Sequence, residues 1–139
     1  MLNYDNMDIT IVATSPEPVY EQIVRQIQDG VAAGELPAGA PLPTVRQLAG
    51  DLQLNRNTVA RAYKQLEDRG VILTAGRRGT FVRADASREV ERIKSNRAER
   101  KVEQVVSSLL GDGVSREEIT ALFNDALRAA RRARETTTS

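Results

Sequence analysis

The stretch TVRQLAGDLQLNRNTVARAYKQLEDRGVILTAGRRGTFV, running from Thr44 to Val82, decides the fold. It opens on Thr44-Val45-Arg46-Gln47, a capping box in which a threonine hydroxyl and a glutamine side chain three residues on satisfy free backbone N–H groups reciprocally. Val45, Leu48, Ala49 and Leu52 then give about two turns of helix a buried side. Gln53-Leu54-Asn55 leaves room only for a tight connection, and Asn55 is a good N-cap for a second helix. That helix buries Val59, Ala62, Tyr63 and Leu66, and Gly70 is placed to stop it. Val71-Ile72-Leu73-Thr74 has the β-branched content of a strand. Ala75-Gly76-Arg77-Arg78-Gly79 is a glycine-bounded turn, and Thr80-Phe81-Val82 is the returning strand. Two short helices with a tight connection, followed by a hairpin, predict a winged helix-turn-helix.

Toward the N-terminus, the breaker-rich loop Gly34-Glu35-Leu36-Pro37-Ala38-Gly39-Ala40-Pro41 is expected to hold no regular structure. Before it, Val19, Ile23, Ile27 and Val31 recur every four residues, with Tyr20 and Val24 beside them. They predict a helix of about four turns, started at Ser15-Pro16-Glu17-Pro18. Asp8-Ile9-Thr10-Ile11-Val12 alternates weakly and reads as a short strand. Toward the C-terminus, Val90 and Ile93, then Val102, Val105, Val106, Leu109 and Leu110, share one side of a helix over residues 85–110. Asn96 to Lys101 within it is polar nearly all round and should bridge solvent. Gly111-Asp112-Gly113 breaks the pattern, and Ser115-Arg116-Glu117-Glu118 is a second capping box. Ile119, Leu122, Phe123, Ala126, Leu127 and Ala130 keep helical spacing over residues 116–134. Arg128, Arg131, Arg132 and Arg134 suit the negative end of that helix dipole. Thr136-Thr137-Thr138-Ser139 is expected to be a disordered tail. The fold class is thus α+β, mostly α: a winged helix-turn-helix over residues 1–83, then a two-helix segment over residues 84–139.

The 139 residues include no Cys and no His. Disulfides, thiolate nucleophiles, imidazole bases and the usual zinc sites are therefore excluded. No nucleophile–base constellation, phosphate loop or metal cluster emerges from the residues that remain, so neither an enzyme nor a cofactor is expected. No apolar run nears the ~20 residues of a membrane span. Met1-Leu2-Asn3-Tyr4-Asp5 lacks the regions of a signal peptide. A cytoplasmic protein without a membrane partner follows. The net charge of +1 hides an uneven distribution. Residues 1–43 carry one basic and six acidic side chains, residues 44–83 eight and three, and residues 84–139 eleven and ten. Positive charge is concentrated on the helix-turn-helix and its hairpin.

In a winged helix-turn-helix the second helix of the pair enters the major groove of DNA. At about 100° per residue, the side opposite Val59 carries Asn57, Arg61, Lys64 and Asp68. The first three are donors suited to phosphates or base edges, arginine matching guanine and asparagine adenine. Arg56 at the helix start can clamp a phosphate, and Thr58 offers a hydroxyl and a nearby amide. On the hairpin, Arg77 and Arg78 place two guanidinium groups on a turn, in the manner of a wing reaching into the minor groove. Gly79 allows positive φ or close approach of backbone to phosphate. Plainer readings stand beside these. Asn57 is also ordinary first-turn chemistry, Arg61 and Lys64 a solvated face, and Tyr63 core rather than a base-stacking platform. The arginine turn is also a type I′ turn kept soluble by its charges.

Four linked motifs carry a resemblance. They are Leu42-Pro43-Thr44-Val45-Arg46-Gln47-Leu48-Ala49, Leu54-Asn55-Arg56-Asn57-Thr58-Val59, Ala62 to Gly70, and Gly79-Thr80-Phe81-Val82. In this order they resemble GntR-family regulators over residues 9–83, and Tyr20-Glu21-Gln22-Ile23 is similar to that family's first helix. The resemblance implies that Arg46 contacts backbone phosphate, that Arg56 and Thr58 contact DNA, and that Gly79, with Thr80 beside it, sits at the wing tip. Many members carry arginine immediately after the residue matching Val59, where this chain has Ala60. That base contact is missing here, or its role passes to Arg61. The short stretch after the wing is similar to the YtrA-like subfamily, whose two-helix tail serves mainly for dimerisation. It is too short to enclose a pocket of several hundred Å³ by itself. A small-molecule effector of unknown identity stays open.

The expected dimer interface is Val102, Val105, Val106 and Leu109 on the first tail helix with Ile119, Leu122, Phe123, Ala126 and Leu127 on the last. Two helices folded back on each other cover only part of this surface, and a second copy is the simplest partner for the rest. A two-fold homodimer presents two recognition helices to an inverted-repeat operator in double-stranded DNA. The function expected is sequence-specific transcription regulation, as a repressor of nearby genes. The alternative is a winged helix for protein–protein assembly, against which the basic recognition face argues. Steep loss of DNA affinity with salt separates the two.

Overall fold

The computed structural model describes residues 8–137, so Met1–Asp5 and the end of the tail, Thr138 and Ser139, lie outside the described residues. Among the described residues the elements run α1 (Val19–Ala32), β1 (Pro41–Leu42), α2 (Val45–Leu52), α3 (Arg56–Asp68), β2 (Ile72–Thr74), β3 (Thr80–Val82), α4 (Ala86–Gly111) and α5 (Arg116–Thr137). The chain divides into two compact units, Met1–Ser95 and Asn96–Ser139. The first is the winged helix-turn-helix that the sequence predicts. Ala86 and Val90, in the first turns of α4, belong to its core, so the packed head reaches past residue 83.

Local chemistry sets the helix ends. The Gln47 amide donates to Thr44 Oγ1 at 3.0 Å and the Thr44 amide to Gln47 Oε1 at 2.9 Å, completing the capping box. Asn55 Oδ1 accepts from the Asn57 amide at 2.8 Å and caps α3. At the other end of α3, Gly70 takes φ +77°. The Val71 amide reaches back to the Leu66 carbonyl and the Gly70 amide to that of Glu67. These are the two bonds of a Schellman motif. The end of α2 repeats it without glycine: Leu54 bonds back to Ala49 and Gln53 to Gly50, and Gln53 holds φ +56°.

The sheet is antiparallel in the order β1-β3-β2. Its hairpin pairs Ile72 with Val82, Leu73 with Phe81 and Thr74 with Thr80. The third strand corrects the expectation that the loop through Pro41 holds no regular structure, for Pro41 pairs with Phe81 and Leu42 with Thr80. Proline is tolerated because β1 is an edge strand, where a missing N–H leaves no bond unmade. The strand expected at Asp8–Val12 is a second correction, since no strand forms there. Its backbone is held instead by side chains of α1. Gln26 exchanges two bonds with Thr10, at 2.9 and 2.8 Å, and Gln22 exchanges two with Val12, at 2.9 and 3.0 Å. A carboxamide offers one donor and one acceptor side by side, as a strand partner would.

The head buries Ile23, Ile27, Val59, Leu66, Val71 and Ile72 at 1% exposure or less, and Leu48, Tyr63 and Val82 close around them. In the second unit α5 begins at a Ser115 cap, whose Oγ accepts from the Glu118 amide at 3.1 Å. Ile119 is buried there, and Val106, Leu109 and Phe123 are half-buried. Thr136 and Thr137, expected in a disordered tail, extend α5 by donating their hydroxyls to the carbonyls of Arg132 and Ala133. Asn96 to Lys101 is exposed throughout, as its all-polar pattern predicts.

Candidate nucleic-acid interface

α3 is the better buried of the helix pair on one side, with Val59, Ala62, Tyr63 and Leu66 in the core. Tyr63 is core, as its plainer reading holds. Its hydroxyl donates to the Pro43 carbonyl at 2.6 Å and so ties α3 to the start of α2. Arg69 Nη1 donates to Gln28 Oε1 at 2.8 Å and ties it to α1. With those two links made, the opposite side of α3 presents Asn57, Arg61, Lys64 and Asp68, all exposed. Arg56 is exposed at the first turn and Thr58 is half-buried beside it. The Asn57 amide is spent on the cap and the Thr58 amide donates to the Asn55 carbonyl, so these two residues meet solvent through their side chains.

The wing stands on the other flank of α3. Gly76–Arg78 is a single 3-10 turn with Arg77 and Arg78 exposed. Gly79 takes φ +104° and ψ −161°, a region essentially reserved for glycine. It turns the chain so that the Ala75 amide can donate to its carbonyl at 2.8 Å. An open cleft of about 340 Å³ separates wing from helix, lined by Thr44, Ala60, Lys64, Glu67, Gly76 and Gly79 among others. Thr80 lies in its wall, buried, with its hydroxyl 3.4 Å from that of Thr74. Thr74 in turn hydrogen-bonds the Glu67 carboxylate, a tie between recognition helix and wing that periodicity could not reveal. Ala60, the departure from the family pattern, opens onto this cleft.

Ion pairs hold arginines of both units. Arg25, Arg83, Arg92, Arg128 and Arg131 each lie within 4.0 Å of a carboxylate. Among the described residues no ion pair involves Arg46, Arg56, Arg61, Lys64, Arg77 or Arg78. All six side chains are exposed. These cations outnumber the carboxylates Glu67 and Asp68 on the same side, so the surface of α2, α3 and the wing carries an excess of positive charge, which attracts anions. Sequence reading missed one further neighbour. The Arg61 guanidinium carbon lies over the Tyr20 ring, 3.8 Å from its centroid. Tyr20 stood out only as a flank of the α1 stripe, and nothing in the α3 pattern points to it.

On the tail, Val102, Val105, Leu122 and Leu127 are 47–69% exposed, while Ile119 is buried within its own chain. The expected stripe therefore splits into residues spent inside the hairpin and residues left bare. Among the described residues no helix is long and apolar enough to cross a membrane. No cluster of His, Cys, Asp or Glu fit to hold a metal occurs among them either.

Known proteins share this arrangement. Residues 19–82 match the family described as "Bacterial regulatory proteins, gntR family". The chain is 53% identical over 66 residues to the HTH-type transcriptional regulator Rv1152 of Mycobacterium tuberculosis, a match spanning 48% of this chain and 54% of that protein. It is 34% identical over 111 residues to the HTH-type transcriptional repressor YtrA of Bacillus subtilis, covering 80% of this chain and 85% of that one. The crystal structure of a transcriptional regulator from Oenococcus oeni superposes with a TM-score of 0.69 at 38% identity, covering 85% of this chain and 98% of that chain. With 85% of YtrA covered at 34% identity, and the gntR-family match over residues 19–82, the chain belongs to the GntR family of bacterial regulatory proteins.

Proposed function

We propose that this protein is a cytoplasmic homodimeric repressor that binds an inverted-repeat operator through α3 and the wing. As a GntR-family member it is a DNA-binding transcription regulator and not an enzyme. The observation that carries the finer reading is the concentration of six exposed cations, none in an ion pair among the described residues, on α2, α3 and the wing. In this reading Arg46, Arg56 and Thr58 hold phosphates and fix register. Asn57, Arg61 and Lys64 face base edges, and Arg77 and Arg78 precede Gly79 and Thr80 on a wing laid along the minor groove. Repression is supported by YtrA, whose name calls it a repressor. Dimerisation is supported by the bare apolar residues of the tail.

The test is selection from random duplex DNA followed by binding to the enriched sequence at stepped salt. The expected product is an inverted repeat with half-site centres about one DNA turn apart. With roughly 6–10 phosphate contacts per dimer, affinity should fall about 10³–10⁵-fold between about 50 and 200 mM salt. A flat salt response would transfer the basic face to the rival role in protein assembly.

A further inference from the structure

Among the described residues Arg61 is the one cation of the proposed base-reading set for which a ring contact holds the side chain. Its guanidinium lies over the ring of Tyr20, which α1 supplies from outside the helix-turn-helix. The Tyr20 hydroxyl is turned aside to donate to Glu21 Oε1 at 3.1 Å, leaving the ring face to Arg61. Tyr20 and Glu21 are half-buried, whereas Arg61 is exposed. Among the described residues Arg61 has no hydrogen-bond or carboxylate partner. The stack occupies the flat face of the guanidinium and leaves its in-plane N–H donors free. Those are the donors that a bidentate contact with guanine needs.

From this we infer that Tyr20 is a positioning residue for sequence reading, which holds Arg61 in its reading conformation before DNA arrives. The inference rests on the proposed role of Arg61 in facing base edges. A long arginine loose in solvent loses rotamer freedom when it docks on a base, and that loss weakens binding. An arginine already stacked has lost that freedom beforehand. The gain therefore belongs to the operator alone. Random DNA, held through phosphates, does not draw on the geometry of Arg61. The arrangement also suits the departure at Ala60. Where that position offers no long cation, the reading group one residue on is steadied by a ring from a different helix.

Two duplexes serve as probes: the one that wild-type protein enriches from a random pool, and a shuffled duplex of the same composition. Tyr20→Leu should weaken the enriched duplex by about two- to tenfold, the range set by ordering one long side chain. It should leave the shuffled duplex and the salt slope unchanged, because no charge is lost. Tyr20→Phe keeps the ring and should bind as wild type does. In an Arg61→Ala background Tyr20→Leu should have no further effect. Side-chain ¹⁵N relaxation at Arg61 Nε reads the same property without DNA, and should show a rise in mobility in Tyr20→Leu and not in Tyr20→Phe. Should Tyr20→Leu fail to fold, Tyr20→Gln removes the ring with a polar replacement. Equal losses on both duplexes, losses that persist in Arg61→Ala, or unchanged Arg61 mobility would each overturn the role of Tyr20. A different result sinks the reading beneath it: Arg61→Ala leaving the preference for the enriched duplex intact, where about 5- to 150-fold should be lost.

Discussion

Gln53 and Gly79 set the backbone geometry at the ends of α2 and of the wing turn, the elements proposed to meet DNA. Gln53 fills, at φ +56°, the position that Gly70 fills at the end of α3. A left-handed conformation costs a residue with a Cβ about 1–2 kcal/mol, while glycine's extra freedom in the unfolded chain costs about 0.5–1 kcal/mol. Gln53→Gly should therefore stabilise the head by about 0.5–1 kcal/mol, seen as a rise in the urea midpoint with unchanged slope. Gly79→Ala should act in the opposite direction. A Cβ there meets nothing within 4 Å, so the cost comes wholly from φ +104°. About 1–3 kcal/mol is expected, with a weaker wing contribution to DNA binding. The asymmetry between these two positions shows what single residues reveal. The glycine at the hairpin turn marks its own conformation. The glutamine at the turn between helices gives no such sign, because its strain is imposed by the Ala49 and Gly50 carbonyls that accept its turn's bonds.

Among the elements, legibility followed the range of the interaction. The capping box at Thr44 and the Asn55 cap depend on neighbours three residues away or fewer, and both form as their sequence predicts. The hairpin is also local, since β2 and β3 are joined by a short turn. The misreadings involve partners from elsewhere in the chain. The alternation at Asp8–Val12 is real, but its backbone partners are the carboxamides of Gln22 and Gln26, which no strand pattern encodes. Pro41 becomes strand only because β3 arrives beside it. The exposed polar face of α3 was visible from α3 alone, whereas the Tyr20 ring beneath Arg61 comes from α1. Gln22 gives this a test. It is 2% exposed and also donates to the Glu17 carbonyl at 2.9 Å. Gln22→Leu should cost about 1–3 kcal/mol by orphaning those groups. Hydrogen exchange at the Val12 amide should accelerate more than that at Thr10, which Gln26 still holds.

At the scale of the whole molecule, the tail's apolar residues fall into two kinds. Ile119 packs within its own chain, whereas Val102, Val105, Leu122 and Leu127 are bare. A charge at Leu127, 69% exposed, leaves the hairpin's own packing intact and acts only on the surface proposed to meet a second copy. Leu127→Glu should therefore give a folded monomer by sedimentation, with operator affinity falling toward that of a single head. A variant that remains dimeric at micromolar concentration would place the interface elsewhere. If the tail pairs two copies, the bare stripe also has a consequence for gene dose. While most chains are still single, the paired species grows as the square of the amount synthesised, so halving expression leaves about a quarter of the operator-competent form. Promoter strength and cell division would then tune repression steeply, with the hydrophobicity of four side chains setting the threshold.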